Sequence, residues 1–382
     1  MKKTLVKIMA VICVMLLSLY SFLPQTFAAE ISISAPSAIL IEAQTGQILF
    51  EKDSHIKLPP ASVTKIMTML LVIEAIDSGQ IKMEDMVRCS EFAASMGGSQ
   101  VYLEPNEEMS VHDMLKAVAV ASGNDAAVAL AEFVAGSHEE FVKRMNKRAK
   151  ELNMNDTNFI NCNGLDEDGH VTSAHDISIM SKELISHPRI LEFTSIWMDS
   201  LRNGEFGLVN TNKLIRFYQG ANGLKTGSTS VAKYCLSASA TRNDMTLIAV
   251  ILAAPSSKER FADATKLLDY GFANYAIANS LIDKEDMKEV KVLKGAKQIT
   301  MPGTEENTGV LVEKSKLENI EKKITLPAEV EAPVKKGQKL GEVEYFVGGE
   351  KVGSTDIIAA EDIKKAGLVT IFVRLAENLL YG

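Results

Sequence analysis

Cysteine is scarce: four residues in 382, at positions 13, 89, 162 and 235, with no C-x-x-C pair. That spacing excludes a disulfide framework and the common zinc and redox motifs. Cys13 falls in a segment expected to be removed. For Cys89, Cys162 and Cys235 the expected state is buried free thiol, with a single bridge as the alternative. No H-E-x-x-H spacing or EF-hand pattern occurs either, so no metal and no organic cofactor is expected. There is no long basic run and the net charge is −8, which gives no reason to expect a nucleic-acid partner. Internal repeats and low-complexity tracts are also missing. What remains is ordinary globular composition, 46% hydrophobic and 24% charged, in a length that suits two domains.

The first stretch, "MKKTLVKIMAVICVMLLSLYSFLPQTFAAE", departs from that composition. Lys2, Lys3 and Lys7 precede an apolar run over residues 8–23, and small residues follow around Ala28 and Ala29. This is the layout of a secretory signal peptide, assigned to residues 1–28. The alternative is an uncleaved membrane anchor. Either way, the remainder is expected outside the cytoplasm.

Beyond the leader, "AILIEAQTGQILFEKD" reads as two strands around a Gln44-Thr45-Gly46 turn. A helix starts near Ser62, with Ile66, Met67, Leu70, Leu71 and Ile73 on its apolar positions. Residues 111–134 and 139–152 are helical by pattern. "GLKTGSTSVAKYCLSASATRNDMTLIAVILAA" reads as three successive strands, and "KERFADATKLLDYGFANY" as a closing helix. From about residue 281 short alternating strands dominate, indicating a separate β domain over 281–360. The last segment, residues 361–382, is an amphipathic helix. It is too short and too charged to span a bilayer, so it is expected either in the membrane interface or packed on the β domain. The fold class is α+β: residues 29–280 form the larger domain, followed by the small, sandwich-like β domain and the terminal helix.

Three short stretches carry chemistry. In "PPASVTKIMTML" Ser62 and Lys65 are three apart at a helix start, hence on one face. Ser62 is either a helix cap or a nucleophile whose proton Lys65 accepts. Lysine can do so when burial or a nearby charge lowers its pKa. In "AVASGNDAAVALAE" the residues Ser122, Gly123 and Asn124 interrupt a helical run with a polar elbow. A hydroxyl and an amide presented together could relay a proton and orient a substrate; a plain cap by Asn124 or Asp125 is the alternative. In "GLKTGST" Lys225, Thr226 and Gly227 open a strand. Lys225 offers a fixed positive charge and Thr226 a hydroxyl, both suited to a carboxylate. Gly227 lets another backbone come close, and an extended peptide could pair with the strand edge.

S-x-x-K, S-x-N and K-T-G, in that order and widely spaced, are the motif set of penicillin-binding proteins and class A β-lactamases. With "SAILIEAQTGQILFEKD", "PASVTKIMT", "SGNDAA", "GLKTGST", the β domain and the tail, the chain closely resembles the low-molecular-mass penicillin-binding proteins that act as D-alanyl-D-alanine carboxypeptidases. The resemblance implies a β-lactamase/transpeptidase-like domain, an antiparallel sheet flanked by helices with a helical subdomain. It implies acyl transfer: Ser62 attacks between two D-alanines of a peptidoglycan stem peptide, Lys65 takes its proton, and Ser122 passes one to the leaving D-alanine. Asn124 would bond Lys65 and the substrate amide. The backbone N–H groups of Ser62 and Ser228 would form the oxyanion hole. Lys225, Thr226 and Arg260 would hold the terminal carboxylate. β-Lactam antibiotics would acylate Ser62. At Ser228 some relatives carry a larger ring, so side-chain contacts there do not carry over.

Two rivals share these motifs. A class A β-lactamase needs a glutamate at the position of Ala149 and an aspartate at that of Gly123. A D,D-endopeptidase cutting cross-links has the same motif set. The loop "NGLDEDGHVTSAHD" gathers Asp166, Asp168, His170 and His175; it is read as a loop framing the site, without metal.

Overall fold

The computed structural model describes residues 31–278, 287–304 and 309–381, the last seven by backbone alone. The leader and the proposed boundary at 280/281 lie outside the described residues.

Five strands form the central antiparallel sheet: β1 (Ser37–Glu42), β2 (Ile48–Lys52), β3 (Ala221–Thr229), β4 (Lys233–Arg242) and β5 (Met245–Ala254), in the order β2-β1-β5-β4-β3. β1 is buried at every position, and β5 nearly so. A sheet covered on both faces needs such continuous apolar strands rather than alternating ones. The β1–β2 turn is held by Glu42, whose buried carboxylate accepts from Gln44 N at 2.9 Å, Thr45 N at 2.7 Å and Thr45 Oγ1 at 2.8 Å.

One face of the sheet, through Ile39, Ile41, Ile248 and Val250, joins the main core with α1 (Lys65–Asp77). That core extends into the helical subdomain: α2 (Val111–Lys116), α3 (Asn124–Ala135), α4 (His138–Glu151) and α5 (Ala174–Ile185). On α4 only Phe141, Met145 and Ala149 are buried, the narrow stripe expected of a charged surface helix. The opposite face meets α6 (Ser257–Asn274). A Cβ at Gly271 would lie 2.4 Å from Leu247 and 3.1 Å from Leu40, so glycine sets how close α6 lies.

β6 (Tyr275–Ala278) leaves α6 directly and pairs with Val310–Glu313. Tyr275 had read as the end of the helix because its spacing continues the apolar face. Two further sheets follow. One has the order Ile299–Thr300, Val290–Leu293, Glu329–Glu331; the other has the order Pro302–Thr304, Glu350–Ala359, Lys339–Val347, Ile320–Thr325. Val343, Tyr345 and Ile357 centre one small core, and Val292, Val334, Ala359 and Ile363 another.

The terminal helix α7 (Leu368–Tyr381) leaves Leu368, Val369 and Phe372 at 87%, 77% and 74% exposure. Its Arg374 donates to Gly295 O at 2.9 Å and Ala296 O at 2.7 Å. The helix is thus tied to the β domain by its polar side while these apolar side chains are uncovered. No helix among the described residues is long and apolar enough to cross a membrane.

Candidate active site

Ser62 does not cap a helix. It sits in a 3-10 turn, Ala61–Thr64, and α1 begins only at Lys65. Neither helix start has a side-chain cap. The tight turn leaves the half-buried Ser62 Oγ accepting from Lys65 Nζ at 3.0 Å. The same ammonium donates to Asn124 Oδ1 at 2.5 Å and to Asn163 O at 2.6 Å. Lys65 has no exposed surface, and burial pushes it down to about 7 against a weaker opposing pull that includes the Asp125 carboxylate. A lysine there exchanges a proton near neutrality, as a base must.

The elbow forms by a break in helix geometry. After α2 the chain makes a π-helical turn, Ala117–Ala121, and Ser122 takes a left-handed conformation with φ 66°. α3 restarts at Asn124. Asn124 is locked on both sides: its Nδ2 donates to Gly97 O at 2.6 Å and its backbone N to Ser99 O at 2.7 Å. Asp125 fixes the same loop by accepting from Val101 N and Leu103 N. The Ser122 hydroxyl is buried and lacks a hydrogen-bond partner among the described residues.

Lys225, Thr226 and Gly227 lie inside β3, which starts at Ala221, not at its opening. A Cβ at Gly227 would come within 2.8 Å of both Pro60 O and Ser62 N. Glycine therefore lets the strand touch the turn that carries Ser62. Lys225 is buried within that strand. It is 1% exposed, and burial first, then Lys65 and Arg260, hold it well below the ordinary lysine range. Its amine donates to Thr226 O at 3.1 Å. A carboxylate arriving there would restore its proton preference. The Thr226 and Thr211 hydroxyls bond at 2.7 Å. Arg260 meets the strand through backbone: its Nη1 donates to Gly227 O at 3.1 Å and Cys235 O at 3.2 Å. Ser228 is exposed at the end of the same run.

The framing loop uses its side chains for hydrogen bonding. Buried His170 accepts from Ile160 N at Nδ1, 3.0 Å away, and so carries its proton on Nε2, 2.8 Å from Thr64 Oγ1. Burial pushes it down to about 4. Asp166 accepts from Thr229 Oγ1 at 2.7 Å, linking loop to strand. Elsewhere Glu74, Glu183 and His187 converge, with Arg148 Nη2 2.7 Å from Glu74 and 2.6 Å from Glu183. The three cysteines at 89, 162 and 235 are free and buried. Sequence reading missed Asn163, Thr211 and the Gly97–Ser99 carbonyls.

Comparison with known proteins agrees with this geometry. Residues 24–256 match the family described as D-alanyl-D-alanine carboxypeptidase, and residues 278–365 match the C-terminal domain of penicillin-binding protein 5. The chain is 48% identical over 367 residues to D-alanyl-D-alanine carboxypeptidase DacF of Bacillus subtilis, covering 93% of this chain and 94% of that one. Penicillin-binding protein 5 from Haemophilus influenzae superposes with a TM-score of 0.75 at 32% identity, over 89% of this chain and all of that one. Penicillin-binding protein D2 from Listeria monocytogenes, in its ampicillin-bound form, superposes with a TM-score of 0.58 at 34% identity, over 63% and 99% of the two chains. The chain belongs to the D-alanyl-D-alanine carboxypeptidase family and is a serine hydrolase of the penicillin-binding class.

Proposed function

We propose that the chain removes the terminal D-alanine from peptidoglycan stem peptides through an acyl-enzyme on Ser62. The observation that carries this reading is the buried Lys65 amine, 3.0 Å from Ser62 Oγ and pushed down to about 7. Lys65 takes the Ser62 proton as Oγ attacks the carbonyl carbon between the two D-alanines. The oxyanion forms against the backbone N–H groups of Ser62 and Ser228. Ser122 gives a proton to the departing amine as the C–N bond breaks, and the proton held on Lys65 restores it. Asn124 keeps Lys65 aimed and bonds the substrate amide. Lys225, Thr226 and Arg260 receive the terminal carboxylate, and Arg260 also holds their strand through Gly227 O. Water then attacks the ester and frees Ser62. β-Lactams acylate the same oxygen.

The test is release of free D-alanine from a soluble peptide ending in D-alanyl-D-alanine. Release with long-lived penicillin labelling supports the reading. Rapid penicillin turnover without D-alanine release would replace it with a β-lactamase.

The Gly227→Ala variant probes the strand-to-turn contact. The added methyl needs room that Pro60 O and Ser62 N occupy. A shift of about 1 Å at a reacting centre costs roughly 100-fold, so penicillin acylation should fall by about that factor with thermal unfolding still cooperative. An unchanged acylation rate would show that the turn yields freely.

The same reading extends to location. Residues 1–28 act as an export signal, residues 29–280 as the peptidase, 281–360 as a β domain, and α7 rests in the outer surface of the membrane. Exposed Leu368, Val369 and Phe372 support the last point. Deleting residues 368–382 should abolish co-sedimentation with lipid vesicles and leave hydrolysis of soluble peptide within about twofold. Undiminished vesicle binding would place the membrane contact elsewhere.

A further inference from the structure

The segment Asn210-Thr211-Asn212 is fastened by hydrogen bonds to the elements on either side of it. Asn210 is 5% exposed and donates through Nδ2 to Ile196 O at 2.7 Å and Thr194 O at 3.2 Å. Its Oδ1 accepts from Asn212 N at 2.8 Å. Asn212 is 1% exposed and donates to Gly223 O, in β3, at 2.7 Å. Between them Thr211 donates its backbone N–H to Val120 O, two residues before Ser122, at 3.1 Å. The segment is a strut from the Ser122 elbow to the K-T-G strand. The Thr211 side chain is exposed, and its hydroxyl meets that of Thr226 at 2.7 Å.

We propose that Thr211 is a positioning residue of the reaction, whose hydroxyl turns to donate to Thr226 Oγ1 and so polarises the Thr226 hydroxyl as it donates to the substrate carboxylate. The inference rests on the reading of Thr226 as a carboxylate donor. A hydroxyl has one proton and two acceptor sites. In the free enzyme Thr226 can spend its proton on Thr211. When a carboxylate arrives, both hydroxyls rotate: Thr211 donates to Thr226 Oγ1, and Thr226 donates to the carboxylate. No bond other than hydrogen bonds changes. The second donor polarises the first, so the pair binds an anion more strongly than Thr226 alone. Valine at 211 keeps the shape and removes the donor; serine keeps the donor.

The test compares acylation rates by benzylpenicillin, which carries the carboxylate, and by its methyl ester, which does not. In Thr211→Val the acid-to-ester rate ratio should fall about fivefold, and in Thr211→Ser it should recover. Thr211→Ala should lose the ratio as Val does, which guards against a packing effect of valine. Equal loss of both rates, with the ratio kept, would overturn the inference in favour of a purely structural strut. A ratio unchanged in Thr211→Val but lowered in Thr226→Val would also overturn it, while leaving Thr226 as the carboxylate donor. A ratio unchanged in both would refute the Thr226 reading itself.

Discussion

Replacing Ser62 by alanine is expected to abolish penicillin labelling and D-alanine release together, a loss on the order of 10⁶. Neither of the other two serines of the motifs is set to substitute. Ser122 Oγ has no hydrogen-bonding base among the described residues, and Ser228 lies on an exposed part of β3. The change is also structurally mild. Ser62 caps no helix, and without its Oγ the Lys65 ammonium still has Asn124 Oδ1 and Asn163 O. Stability should therefore stay within about 0.5 kcal/mol of wild type. Intact-mass measurement after penicillin exposure reads the adduct directly. An adduct on the alanine variant would move the nucleophile to another residue.

Much of the site was legible in the sequence because its chemistry is written in side chains at short spacing. Ser62 and Lys65 are three apart, and the elbow at 122–124 interrupts an otherwise apolar helix. Such local patterns survive the loss of three-dimensional information. The partners that tune them do not. Asn163 contributes a backbone carbonyl, and every residue has one. Thr211 acts across 15 positions through a hydroxyl indistinguishable in sequence from a surface threonine. The burial of Lys225 was not legible for a related reason: it depends on elements far apart in the chain, and it is the first cause that lowers the proton affinity of the amine.

The fold followed the same division. Strand and helix types were readable from apolar period, as in β1 and α4. The 3-10 turn before α1 was not, because its sequence satisfies the helix pattern equally well. In that 3-10 turn Ser62 Oγ is a partner of Lys65 Nζ rather than of backbone N–H groups. Likewise β6 continues the period of α6 and separates from it only by pairing with a strand more than 30 residues onward.

The second large effect concerns Lys65. Lys65→Ala and Lys65→Arg should both lower penicillin acylation by about 10³ to 10⁴. Alanine removes the base; arginine keeps a charge but holds its proton too firmly to give a neutral acceptor. The pH dependence of the wild type gives an independent check. Attack requires neutral Lys65, so acylation should rise with pH through about 7, the value to which burial pushes the amine, and level off above it. Below that point the rate should fall about tenfold per pH unit. A lysine at the ordinary 10.5 would be neutral about 1,600 times less often at pH 7, since an amine at about 7 is half neutral there and one at 10.5 is neutral only about once in 3,000. The variants should lose this acid limb along with the rate. If Lys65→Arg retained acylation within tenfold, or kept an inflection near 7, the proton would be going to another group, and Lys225, also buried and held low, would become the base to test next.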